Sequence, residues 1–208
     1  GDQATQENRI YVSGSATVEA APDMAQAQLG VQTFAKTVDE AMSENNTRTA
    51  AVLAALAQEG VAAKDLQTTS FNLYPQQDPK GEDPTLILGY WVNNTVEVKI
   101  RDLSRVGRVL QAGIAAGANT SYGLAFTLSD PDSLRQEARQ EAVEDARNRA
   151  EALAEGAGVK LGKVIRIQES SSYYGPVYAR ADAAVGSGAE VPLQPGELEV
   201  TAQVEVVF

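Results

Sequence analysis

The chain contains no cysteine and no histidine. Without thiols there is no disulfide and no thiolate nucleophile. Without imidazole there is no triad that uses His as its base, and no zinc site built on thiolate or imidazole ligands. Long apolar runs are also missing: no stretch approaches the roughly 20 residues of a membrane-spanning helix, so no transmembrane segment is expected in the mature chain. Basic residues are in the minority, 17 Lys and Arg against 28 Asp and Glu, for a net charge of -11. That charge repels nucleic acid and anionic lipid, and it favours solubility without naming a partner. No cofactor is expected from this inventory.

What is present suits a globular protein. The 208 residues are 43% hydrophobic and 22% charged, enough for one domain that needs no staple. Gly1 to Asn8 is short and polar, expected to be a disordered tail of the kind left when a signal or anchor segment is removed. Residues 9–208 read as a single domain interrupted by a long loop at about 170–196, rich in Ser, Gly, Ala, Pro and Tyr.

Two-residue alternation marks most of the strands. Ile10, Val12, Gly14, Ala16 and Val18 share one face, and Ala25, Ala27, Leu29, Val31 and Thr33 share the face of a second strand expected to pair with the first. Strands follow at about Gln67–Tyr74 and Tyr90–Arg101, through Tyr122, Leu124, Phe126 and Leu128, and at Lys163–Glu169. Leu198, Val200, Ala202, Val204, Val206 and Phe208 form the clearest alternation. Helices announce themselves by their caps. Thr37 with Glu40 makes a capping box ahead of a helix ended by Gly60, Asp102 caps a second helix, and Asp130 with Pro131 opens a third. Leu134, Ala138, Ala142, Ala146, Ala150 and Leu153 give that third helix a stripe of mostly small residues. The order β-β-α-β-β-α-β-α-β-β, with alternating rather than continuously apolar strands, predicts an α+β fold in which helices cover one face of an antiparallel sheet.

These landmarks carry a likeness. Ile10-x-Val12-x-Gly14, Pro22-Asp23, Gly60-Val61, Asp65, Gly89-Tyr90 with Asn93, Arg101-Asp102-Leu103, Gly117-Ala118-Asn119, the alanines of the third helix with Asp145, Gly158, Leu161-Gly162 and Pro195-Gly196 occur in order along residues 9–208. The set resembles the SIMPL-domain family of YggE-like and periplasmic immunogenic proteins. The resemblance implies an α+β fold, export to the periplasm or cell envelope, in some members a large hollow oligomer, and a loose association with resistance to oxidative stress. Animal relatives are described as binding a signalling kinase. The family supplies no catalytic residues to carry over.

Two clusters qualify as binding candidates from the residues themselves. Tyr90 and Trp91 pair the sole Trp with a Tyr, a combination able to form a contact platform; against this stands the ordinary preference of aromatics for strands. Tyr173, Tyr174 and Tyr178 fall in the long loop, where Tyr supplies rigid amphipathic area; against this stands a variable insertion. Asp78, Glu82 and Asp83 lack the ligand spacing of a calcium loop, and Ser13-Gly14-Ser15 lacks the flanking glycines and the base of a nucleophile elbow. Three functional classes remain: a non-catalytic, homo-oligomeric envelope scaffold with no known protein partner, a small-molecule or peptide-binding module using the aromatics, and an enzyme working through carboxylate or Tyr chemistry.

Overall fold

The computed structural model describes residues 8–78, 80, 81, 83, 85–177 and 195–208, and of 170–177 the backbone alone. Gly1 to Glu7 of the expected tail lie outside these, as do Tyr178 and residues 179–194 of the expected loop. The elements run β1 (Tyr11–Ala20), β2 (Met24–Ala35), α1 (Val38–Gln58), β3 (Leu66–Gln77), β4 (Ile87–Ile100), α2 (Val106–Ala115), β5 (Thr120–Thr127), α3 (Pro131–Gly156), β6 (Arg166–Val177) and β7 (Glu197–Val207). This is the expected order, and every strand pairing is antiparallel. The strands divide into two sheets, of order β1-β7-β6 and β3-β4-β2-β5. The chain correspondingly forms two compact units.

The first unit holds residues 8–22, 128–177 and 196–208. Its centre is β7, whose alternation puts Leu198, Val200, Ala202, Val204 and Val206 on one buried face. Strand β1 pairs with β7 along its whole length, from Tyr11 opposite Val207 to Ala20 opposite Leu198. This corrects the expected pairing of β1 with β2. Both strands alternate correctly, but only three residues join them and each belongs to a different sheet. Helix α3 starts as its cap demands, with the Asp130 carboxylate accepting from the N–H groups of Asp132 and Ser133 at 3.1 and 3.4 Å. Its stripe is Ala138, Ala142, Ala146, Ala150 and Ala154, all buried. Leu153, expected in that stripe, is 55% exposed. The contact follows the four-residue row, so Ala154 inherits the position and Leu153 turns away.

Small side chains let α3 lie almost on the strand. A methyl group added to Gly14 would sit 2.0 Å from the carbonyl oxygen of Ala142 and 2.5 Å from the nitrogen of Ala146. At this crossing the Asp145 carboxylate reaches past the side chains and accepts from the backbone N–H of Ser15 at 3.0 Å. Arg149 pairs with the same carboxylate, and Arg147 pairs with Glu151. Strand β6 extends to Val177, with Tyr173 opposite Thr201 and Tyr174 opposite Val200. Residues 170–177, rich in Ser and Tyr, are therefore strand where composition suggests loop, because β7 offers a full row of backbone partners.

The second unit lies within residues 23–127. Helix α1 begins at the Thr37 cap, whose hydroxyl accepts from the Glu40 N–H at 3.3 Å, and it ends at Gly60 with φ 85°. Together α1 and α2 cover one face of the four-stranded sheet through Leu29, Val31, Val52, Leu56, Val96, Val98, Ile100, Val106 and Val109. Polar ties cross this core. The Asn45 amide donates to the carbonyls of Val31 and Val92 at 2.8 and 3.2 Å, and Thr33 donates to the carbonyl of Ala41 at 2.9 Å.

Candidate functional site

The sheet of the second unit presents a face opposite its helices. Directly opposed residues on neighbouring strands point the same way, so the pairing register assigns its occupants. Tyr74 stands opposite Trp91 and Trp91 opposite Phe34; Asn72 stands opposite Asn93 and Asn93 opposite Gln32; Ser70 stands opposite Thr95 and Thr95 opposite Gly30, which Thr120 follows on β5. The face is thus ruled into a rank of three aromatics, a rank of three carboxamides and a rank of hydroxyls. These ranks carry no charge. Glu97 and Lys99 appear only farther along β4, opposite Gln28 and Gln26.

The aromatic rank is fixed in place. The rings of Phe34 and Trp91 lie 4.9 Å apart between centroids at 47°. Gly89 makes room for them, because a methyl group there would fall 2.4 Å from the Phe34 ring. The Trp91 indole N–H donates to Gln76 Oε1 at 2.9 Å, and the Gln32 amide reaches the Tyr74 hydroxyl at 3.4 Å. Phe34 and Tyr74 nevertheless remain 41% and 43% exposed. In the hydroxyl rank Thr95 bonds the Tyr122 hydroxyl at 3.2 Å.

Tyr122 reaches this face through a bulge. Met24, Ala25 and Gln26 oppose Thr127, Phe126 and Ala125, but Gln28 opposes Tyr122, so β5 carries one extra residue there. Gly123 supplies the left-handed conformation at φ 71° that such a bulge uses. Tyr122 and Phe126, expected on one face by alternation, therefore lie on opposite faces. A second bulge, between Thr68 and Ser70, turns Tyr74 onto the aromatic face.

Of the aromatics singled out in the sequence, only Trp91 belongs to this constellation. Tyr90, its neighbour in the same strand, points to the other side of the sheet. Tyr173 and Tyr174 lie in β6 of the first unit. Tyr74, Phe34 and Tyr122 carry no mark of a site in the sequence, since their convergence depends on register and bulges. The chain has three Asn-x-Ser/Thr sequences, at Asn45, Asn93 and Asn119, and each serves the fold or the face: Asn45 is the buried tie, Asn93 stands in the amide rank, and the Asn119 side chain both donates to and accepts from the backbone of Gln32. In the acidic loop, Asp78 and Asp83 accept turn N–H groups from Lys80, Asp83 and Thr85.

A charged cleft of about 220 Å³ forms elsewhere in the second unit, between the end of α1 and the end of β4. Arg101 clamps Asp65 with two bonds of 2.9 and 2.7 Å, and Arg105 and Arg108 converge on Glu59 at 3.2 and 3.1 Å. The Arg101 hydrogen bonds hold the Asp65 carboxyl below the ordinary carboxylate value. Thr85, Ser104 and Ser15 do the same for Asp83, Asp102 and Asp145 through their own hydrogen bonds. The bonds of Asp65 and Asp145 are clasps between elements and those of Asp83 and Asp102 close local turns, with each carboxylate held charged. Among the described residues no group of three or more Asp and Glu stands close enough to hold a metal ion, and no helix is long and apolar enough to cross a membrane.

Comparison with known proteins agrees with the landmarks. A 26 kDa periplasmic immunogenic protein of Brucella melitensis is 36% identical over 214 residues, covering 98% of this chain and 85% of that protein. The uncharacterized protein YggE of Escherichia coli K12 is 30% identical over 203 residues, 96% of this chain and 82% of the relative. YggE of Edwardsiella ictaluri is 29% identical over 204 residues, 96% and 85%. With relatives named periplasmic, the protein is an exported one, periplasmic or associated with the cell envelope. The family model for SIMPL, described as a protein of unknown function (DUF541), matches residues 10–208, and the chain belongs to that family.

Proposed function

We propose that the chain is a non-catalytic periplasmic protein that assembles with copies of itself, and that the outer edge of β3 is a contact. One observation carries this reading. Strand β3 is the edge of its sheet, its twelve residues contain no charge, and Phe71 and Leu73 on its helix side are 48% and 38% exposed. Edge strands that stay solitary are normally short, charged or covered, and exposed contiguous apolar surface marks protein contacts. Leu86, Ile87 and Leu88 at the start of β4 enlarge the exposed apolar surface of this hairpin. Pro75 blunts one end, leaving Leu66 to Tyr74 able to pair antiparallel with the same edge of a second copy, a self-complementary contact.

A carboxylic general acid at neutral pH needs a carboxyl raised toward neutrality, and Asp65, Asp83, Asp102 and Asp145 are all shifted the other way, so none of these four fits that role. The part in stress resistance implied by the family likeness would then be structural.

The test is solution mass. The wild-type chain should run as a multiple of its 22.0 kDa, and the double variant Phe71→Lys, Leu73→Lys should run at a smaller multiple while keeping its circular dichroism. A wild-type mass that stays monomeric as concentration rises ends the assembly reading. An unchanged oligomer in the variant moves the contact away from β3.

A further inference from the structure

We infer that the uncharged face of the four-stranded sheet is a binding site for a neutral oligosaccharide, lying along the aromatic rank with its hydroxyls on the amide rank. The argument begins from a cost. Phe34 and Tyr74 keep two-fifths of their surfaces in water, and folding alone would be better served by burying them or replacing them with polar residues. Instead the rank is held rigid: Gly89 seats the Phe34 ring, Gln76 holds the Trp91 indole, and Gln32 reaches the Tyr74 hydroxyl. Rings fixed in advance but left uncovered are preorganised for a ligand that stacks.

The chemistry of the neighbouring ranks selects the ligand. A sugar ring offers a C–H face that stacks on aromatic carbon and a rim of hydroxyls that donate and accept. Asn72, Asn93 and Gln32 are side chains that both donate and accept through one planar group, and Ser70 and Thr120 add hydroxyls of the same dual character, while Thr95 is buried with its hydroxyl bonded to that of Tyr122. No charge lies within the three ranks to greet a carboxylate, phosphate or ammonium, and the net charge of -11 disfavours acidic polymers. Three neighbouring strands spread the aromatic rank over about 10 Å, the scale of a disaccharide and longer than a single ring needs. A peptide is recognised through an edge and through pockets for its side chains, whereas these ranks lie on the flat of the sheet. The inference does not depend on self-assembly: the apolar pair Phe71 and Leu73 used by that contact points to the helix side, opposite these ranks.

Trp91 is the sole Trp in the chain, so its emission reports the site directly. Chitotetraose and cellotetraose are titrated separately into the full chain, and at least one should produce a change in Trp91 emission that saturates below about 10 mM. Tyr74→Ala, which removes one ring of the rank and the Gln32 partner, should weaken that binding by about tenfold or more. Phe71→Lys with Leu73→Lys should leave the sugar affinity unchanged while lowering the solution mass, which separates failure here from failure of the assembly reading. No saturable change with either sugar overturns the proposal. So does a change that Tyr74→Ala leaves intact. An emission shift that follows protein concentration instead of sugar would assign the face to a second copy, and a shift with a neutral peptide alone would assign it to a peptide.

Discussion

The two units solve one problem, a helix layer on an antiparallel sheet, with opposite means. In the second unit Leu29, Val52, Leu56, Val98 and Ile100 fill the interface with branched side chains, and polar groups such as Asn45 tie helix to strand. In the first, Ala138, Ala142, Ala146 and Ala150 bring the α3 backbone so near β1 that Gly14 has no room for a methyl group. One interface is limited by how much apolar surface it removes from water, the other by how closely two backbones approach. Removing atoms should therefore damage the second unit, and adding them should damage the first.

The largest effect is expected from Leu56→Ala, because Leu56 is completely buried in the second unit's core. Loss of its side-chain atoms and the cavity left behind should cost about 3 kcal/mol, read as a lowered urea midpoint followed by Trp91 emission. A loss under about 1 kcal/mol would mean that the helices settle onto the gap, so that apolar volume is not what limits this interface. The converse substitution, Gly14→Ala, adds one carbon. It should cost about 2 to 3 kcal/mol, since the atoms it meets are backbone of α3 and cannot rotate away. Circular dichroism in urea measures it, and a neutral result would show that α3 can shift outward cheaply and that the contrast between the units is false.

Much of this contrast can be read in the sequence, and the unread part has a physical cause. The helix starts at Thr37 and Asp130 are legible because a cap is a local matter, decided by a side chain and N–H groups two or three residues away. The alanine stripe is legible for the same reason, up to Leu153, where sheet geometry chooses the row. Pairing is not local. Alternation places Val12 and Val18 on one face but cannot say that β7, far along the chain, is the partner instead of β2. Nor can it show that bulges near Thr69 and Gly123 reverse the faces of Tyr74 and Tyr122. The site shares this fate: Trp91 stands out as the sole Trp, while the ranks on either side of it exist only once three strands are in register. Tyr90 is the exception, since the two-residue period alone separates it from Trp91.

Acid loosens polar ties in both units. Asp65, buried and clamped by Arg101, titrates below the ordinary carboxylate value of 3.8. A folded pKa below the unfolded one means that the unfolded chain binds the proton first. The stabilisation is therefore fully present above the unfolded value and is lost as pH falls through the folded one. Wild-type stability should fall below about pH 4, and Asp65→Asn should be less stable at neutral pH but show a shallower acid limb. Urea midpoints measured between neutral and strongly acidic pH decide it. Parallel curves for the two proteins would show that the clamp contributes nothing to the acid response, which would then rest on other carboxylates such as Asp145.

The smallest expected effect has the opposite sign and tests whether space, rather than glycine as such, sets the cost at Gly14. Gly107 lies in the first turn of α2, and a methyl group added there would meet nothing within 4 Å. No left-handed backbone is required at this position, because Gly107 is absent from the positive-φ glycines. Alanine loses less backbone freedom than glycine on entering a helix, a difference of up to about 1 kcal/mol in helix interiors. At the second helical residue the gain should be smaller, about 0.5 kcal/mol of added stability. The measurement is the urea midpoint of Gly107→Ala beside that of Gly14→Ala. A rise in the first and a fall in the second isolates the close approach of α3 as the cause, since both substitutions make the same chemical change. A fall in both would mean that α2 also packs without slack, and that the second unit too is limited by distance.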